Sequence, residues 1–164
     1  MSLGVLVVII LFQDEIRRFL ISLGSKKTFK VLANLFGAGS SKKKSDINFT
    51  PVVLACMNMA KYKIGALIVI EQDINLRFIE ETGEIINADI SVRLIENIFF
   101  KNSPLHDGAM IISHDKIKAA GCILPVSQRQ DIPKQFGLRH RAAIGITEET
   151  DARVVVVSEE RGKI

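Results

Sequence analysis

The chain has 164 residues, 48% apolar and 24% charged, values of a globular domain that exclude an intrinsically disordered segment or a collagen-like repeat. A domain this long buries roughly 70% of the surface its unfolded chain exposes and needs no disulfide framework or structural metal to fold; Cys56 and Cys122 read as buried small hydrophobes in a reducing compartment. The net charge of +4 resides at the N-terminus, where residues 1–50 carry eight Lys/Arg against three acidic residues, and a body with no tryptophan and one tyrosine lacks the basic, aromatic face of a nucleic-acid binder.

Leu3–Phe12 is an apolar run interrupted only by Gly4. It is about half the ~20 residues a membrane-spanning helix requires. No positive residue precedes it and no small-residue cleavage pattern follows, so it does not read as a signal peptide. It passes into Gln13–Leu23, where Phe12, Ile16, Phe19, Leu20 and Leu23 recur at helical spacing. Residues 1–36 therefore read as an N-terminal helical region with two open origins: a packing helix of the domain, or the end of a membrane segment followed by a juxtamembrane helix. Arg17, Arg18, Lys26, Lys27 and Lys30 suit the cytoplasmic side of a bilayer. Residues 37–48 (GAGSSKKKSDIN) combine small and like-charged residues and read as a flexible linker.

Residues 49–164 form the body. Thr50-Pro51 predicts a helix start, with Thr as the cap and Pro at the first helical position; Val52, Val53, Cys56, Met59 and Ala60 supply its apolar face. Gly65–Ile70 predicts a buried strand. After a polar stretch punctuated by Gly83, Ser91–Phe100 predicts a helix with Leu94, Ile95, Ile98 and Phe99 on one face. Ala109–Ser113, Ile117–Leu124 and Arg153–Ser158 predict three more strands, the first two joined by a tight turn at His114-Asp115. Pro133–Ile146 predicts a helical turn and then a helix. The expected fold class is α/β, a mixed central β-sheet flanked by helices on both faces. Its hairpin at His114-Asp115 must be antiparallel, because parallel neighbours need a long crossover.

The phosphate-loop, dinucleotide, zinc-protease and esterase motifs are all missing from the sequence. Two polar clusters remain. Gly137–Ala143 (GLRHRAA) sets Arg139, His140 and Arg141 at a helix start, which suits either an anion or phosphate site or a solvated helix end paired with Glu148, Glu149 or Asp151. In Ser103–Ala109 (SPLHDGA), Asp107 can bind a divalent cation or accept a proton from a hydroxyl, with His106 as a second ligand. The alternative is a plain Asp-Gly turn. By residue type alone, Glu159 and Glu160 read as solvated carboxylates.

In order along the chain, LFQDEIRRFL, IGALIVIE (64–71), ETG (81–83), NSPLHDGAMII (102–112), AAGCILPVS (119–127), GLRHRAAIGITE (137–148) and VVVVSEERG (154–162) resemble the diadenylate cyclase (DAC) domain family. The Asp-Gly-Ala and Arg-His-Arg triplets are the specific signatures, and the apolar N-terminal run resembles the membrane-anchored, single-domain branch. The resemblance implies condensation of two ATP molecules into cyclic di-AMP with a divalent metal, Mg²⁺ or Mn²⁺, by a face-to-face homodimer at the cytoplasmic face of the membrane. It implies that Asp107 binds metal and activates the 3′-hydroxyl, with His106 and Glu160 contributing to the metal. Gly108 and Ala109 would line the nucleotide pocket, Arg139 and His140 hold the triphosphate, Arg141 position the motif, Leu124 lie next to adenine and Ser158 near the phosphates. The chain departs from the family at Leu138, where a Thr is common whose hydroxyl can contact phosphate. That departure keeps open a nucleotide-binding sensor of the same fold as an alternative; a structural domain of a membrane complex is a third reading.

Overall fold

A computed structural model describes Phe12 and residues 48–164 except Lys134. The helical region expected over 1–36, Phe12 aside, and the linker expected over 37–48, Asn48 aside, lie outside the described residues. Among the described residues no helix is long and apolar enough to cross a membrane.

In chain order the elements are α1 (Thr50–Lys61), β1 (Ala66–Ile70), α2 (Arg77–Glu80), β2 (Glu84–Asp89), α3 (Val92–Ile98), β3 (Ala109–Ser113), β4 (Lys116–Cys122), α4 (Leu138–Glu149) and β5 (Arg153–Val157). The strands form one sheet in the order β2-β4-β3-β1-β5. β1 and β3 are parallel, while β1–β5, β2–β4 and β3–β4 are antiparallel. This is the mixed sheet expected from the sequence. The β3–β4 turn falls on His114 and Asp115, whose φ values of +49° and +62° are the paired left-handed conformations that match the twist of a tight hairpin.

The uninterrupted apolar run of β1 follows from burial on both faces. Ala66, Ile68 and Ile70 pack with Val52, Cys56 and Met59 of α1 and Ile95 and Ile98 of α3. Leu67 and Val69 pack with Ile79 of α2 and Ala142, Ala143 and Ile146 of α4. Both cysteines are buried and free, as expected.

Two expectations are corrected. Thr50 does not cap α1: Phe49 precedes the helix without a side-chain cap bond, and Asn48 Oδ1 instead accepts from the Thr50 backbone N–H at 3.1 Å. The polar stretch around Gly83 contains α2 and the edge strand β2. β2 exposes Glu84, Ile85, Asn87 and Asp89, and its register shifts between Ile85 and Ala88, with φ +50° at Asn87. An edge strand with a broken alternation carries little periodic signal.

Candidate active site

Strand register gathers the functional side chains at one end of the sheet. Ala66 pairs with Val157 and Ala109 with Cys122, so the residues just before β1 and β3 meet those just after β5 and β4. A cleft of about 650 Å³ opens there, lined by His106, Asp107, Gly108, Ile123, Leu124, Leu138, Arg139, His140, Ser158, Glu159 and Glu160 among others. Backbone geometry fixes its floor. Gly108 has φ +132°, and a Cβ there would lie 2.6 Å from the Gly121 carbonyl carbon; only glycine combines that conformation with that approach.

Helix α4 brings the cations. It starts after Gly137, in extended conformation, and sits close to the sheet because Ala142, Ala143, Gly145 and Ile146 are its buried residues. At Gly145 a side chain would run into the Pro125 backbone. Arg139 Nη1 donates to Glu159 Oε2 at 2.7 Å, and the His140 ring stacks on Phe136 with centroids 4.8 Å apart and an interplanar angle of 11°. Arg141 leaves the other two members of its triplet. Its Nη1 donates to the Arg129 carbonyl at 3.3 Å and its own carbonyl accepts from Ser127 N at 3.1 Å, tying α4 to the segment after β4.

In the same cleft Asp107 is exposed, and among the described residues no ion pair involves Asp107 or Glu160. His106 Nδ1 lies 2.5 Å from the Ser103 carbonyl, so that nitrogen carries the donated proton and Nε2 is left for a ligand. Among the described residues no three His, Cys, Asp or Glu side chains converge to hold a metal by themselves. Mg²⁺ commonly takes one or two carboxylates and completes its shell with water and substrate phosphates, a pattern the oxygen donors Asp107 and Glu160 fit. Cys122, in the floor, has its thiol pushed up to about 11, by burial first and by Glu80 second, and it stays neutral at neutral pH.

Of the residues singled out in the sequence, His106, Asp107, Gly108, Leu124, Arg139, His140, Ser158 and Glu160 share the cleft. Ala109 does not line it; its side chain is fully buried in the core. Arg141 also lies off the lining. Glu159 is exposed, as a solvated carboxylate should be, and is in addition the ion partner of Arg139. Two contributors carry no sequence signal of chemistry. Gly65 underlies Arg139, and Thr82 Oγ1 accepts from the Ile123 N–H at 2.9 Å while donating to the Ile79 carbonyl at 2.7 Å, which anchors the Ile123-Leu124 wall.

An exposed carboxylate, imidazoles and an arginine at a helix start share this cleft of an α/β domain with an apolar wall, a chemistry that suits a phosphorylated ligand with an apolar part. The family described as DAC, DisA bacterial checkpoint controller nucleotide-binding, matches residues 53–164. This chain belongs to the DAC family. It is 42% identical over 162 residues to the cyclic di-AMP synthase CdaA of Bacillus subtilis, covering 98% of this chain but only 57% of that protein's length. A crystal structure of DacA from Staphylococcus aureus superposes with a TM-score of 0.70 at 47% identity, over 75% of this chain and 81% of that one. A Bacillus cereus structure described as a hypothetical membrane spanning protein gives a TM-score of 0.68 at 34% identity, over 94% of this chain and 73% of that one.

Proposed function

We propose that this protein is a diadenylate cyclase, which condenses two ATP molecules into cyclic di-AMP and two pyrophosphates. The observation that carries the reading is the convergence of Asp107, Arg139 and His140 on one cleft in a DAC-family chain. Arg139 and His140 bind the triphosphate, with Ser158 at its edge, and neutralise the charge that builds on departing pyrophosphate. Leu124 supplies the wall against which adenine lies, and Gly108 lets the nucleotide approach the backbone. Ala109 acts from the core by seating that glycine, and Arg141 by positioning α4.

Each 3′-oxygen forms a bond to the α-phosphorus of the other ATP as the bond from that phosphorus to pyrophosphate breaks, and the hydroxyl proton passes to the Asp107 carboxylate. A divalent cation, Mg²⁺ or Mn²⁺, would be held by Asp107 together with substrate phosphates, with His106 and Glu160 contributing from opposite subunits of the dimer, and would supply charge neutralisation and a lower pKa for the attacking hydroxyl. Two equivalent linkages require two nucleotides related by a two-fold axis, so the active species is a face-to-face homodimer and the monomer is inactive. Residues 49–164 are the catalytic domain, 37–48 a linker and 1–36 the attachment to the cytoplasmic face of the membrane. The apolar run with its basic flank and the likeness to a protein described as membrane spanning support that attachment.

Incubation with ATP and Mn²⁺ or Mg²⁺ at several protein concentrations tests the proposal. Cyclic di-AMP is expected, at a rate per chain that rises with protein concentration. One observation favours a second reading, a nucleotide sensor: Leu138 is 77% exposed at the cleft and offers no hydroxyl to phosphate. ATP binding with no product at any concentration would establish that reading instead.

A further inference from the structure

We propose that Glu159 is a positioning residue, which with Gly65 as its floor clamps one edge of the Arg139 guanidinium so that the remaining N–H groups face the triphosphate; this rests on the cleft being the ATP site. The three residues are remote in sequence and meet through register, because Ala66 pairs with Val157 and so sets Gly65 beside the chain that continues into Ser158 and Glu159. Arg139 Nη1 donates to Glu159 Oε2 at 2.7 Å. A Cβ on Gly65 would lie 2.5 Å from that same Nη1 and 2.9 Å from that same Oε2, so the ion pair fills the space a side chain would take.

The pair is a poor stabilising device. Glu159 has a side-chain exposure of 62% and Arg139 one of 25%, and ion pairs this open to solvent add little to folding. Orientation is what it supplies. An arginine carries five N–H donors in a rigid planar fork on a flexible stem. Fixing one edge by Glu159 and one face by the Gly65 backbone removes most of the stem's rotamers and leaves the other donors for a polyphosphate. If Glu159 instead competed with phosphate for the guanidinium, its removal would tighten nucleotide binding, the opposite sign.

The test uses the 164-residue chain, with Glu159→Ala and Gly65→Ala made alone and in an Arg139→Ala background. Binding of a non-hydrolysable ATP analogue, kcat and KM for cyclic di-AMP formation, and thermal melting are measured. Each single variant is expected to weaken analogue binding and lower kcat/KM about 10- to 100-fold, mostly through KM, with an unchanged melt. Glu159→Gln, which keeps an acceptor for Nη1, recovers part of the loss. In the Arg139→Ala background neither variant costs anything more. Additive losses there, tighter analogue binding by Glu159→Ala, or singles equal to wild type would each overturn the clamp. Gly65→Ala meets only the mobile ends of two side chains and is expected to fold; should it not, Glu159→Ala decides. A wild-type chain that binds the analogue without forming product overturns the cyclase reading and leaves the clamp to be judged by binding, whereas one that does not bind overturns both.

Discussion

At the end of the sheet where β1 and β3 finish, Glu71 has a side chain only 7% exposed and both of its oxygens are occupied. Oε1 accepts from Ser113 Oγ at 2.8 Å and Oε2 from Leu76 N at 2.9 Å. Ser113 Oγ in turn lies 2.7 Å from His114 Nδ1, which must be the donor because the serine proton is committed to Glu71. Nearby, Asp151 accepts from the N–H groups of Asp73 and Ile74. At the other end of the same strands, Asp107 is exposed, Glu160 has no ion partner among the described residues, and Arg139 uses one edge of its fork on Glu159. Carboxylate, imidazole and hydroxyl are present at both ends. Where the protein satisfies them they hold loops to the sheet; where it leaves capacity over, a ligand can use it.

Substitutions at the two ends should separate accordingly. The largest effect is expected at Asp107→Asn, which removes the proposed proton acceptor at constant size. Cyclic di-AMP synthesis should fall by about 10²- to 10⁴-fold or more with an unaltered melting temperature, and wild-type turnover in that variant would falsify the assigned role. Glu71→Ala, at the satisfied end, should do the reverse. It strands the Leu76 N–H and the Ser113 hydroxyl, lowering stability in urea denaturation by about 1–3 kcal/mol, with turnover per folded molecule retained. An Asp107→Asn protein that melted early, or a Glu71→Ala protein that was stable but inactive, would break the contrast.

Leu138→Thr sharpens it at the open end. A hydroxyl at this exposed, cleft-lining position should tighten ATP binding by about tenfold if it reaches phosphate, as isothermal titration would record. The smallest effect is a pH dependence at the satisfied end. Burial first and the charge of Glu71 second raise the Glu80 carboxyl above its ordinary 4.5. The folded chain therefore holds that proton more tightly than the unfolded one, so this contribution to stability is fully present below pH 4.5 and is lost as pH rises through the folded value. Melting curves from pH 3.5 to 7 should show a decline that Glu80→Gln flattens and Glu71→Ala lessens.

The sequence was most legible where apolar residues run without interruption. β1 and β3, buried throughout, and β5, an edge strand whose valines are mostly half-buried, are short apolar runs and appear where expected, within a residue at each end. The His114-Asp115 hairpin was legible too, because two residues between apolar runs leave no room for a crossover. β2 was not, since most of its side chains are exposed and its alternation is bulged. In the site, Asp107, Arg139 and His140 were readable as motif residues. Arg141 was readable by residue type as a further cation and by resemblance as positioning the motif, while its turn away from the cleft toward the Arg129 carbonyl depends on how α4 meets the 125–129 segment.

What the amino-acid order determined by itself was the set of apolar strands, the antiparallel hairpin, the family, and the two motifs that bring Asp107, Arg139 and His140 to the cleft. These depend on hydrophobicity, turn chemistry and short spacings, all local in the chain. The tertiary structure alone decided that Glu159 faces Arg139 over Gly65, that Thr82 anchors the Ile123-Leu124 wall, and that Ala109 lies under the cleft and not in it. Such partners are selected by strand register and helix placement, and an interaction a few ångströms long between residues 20 to 94 positions apart leaves no trace in local pattern.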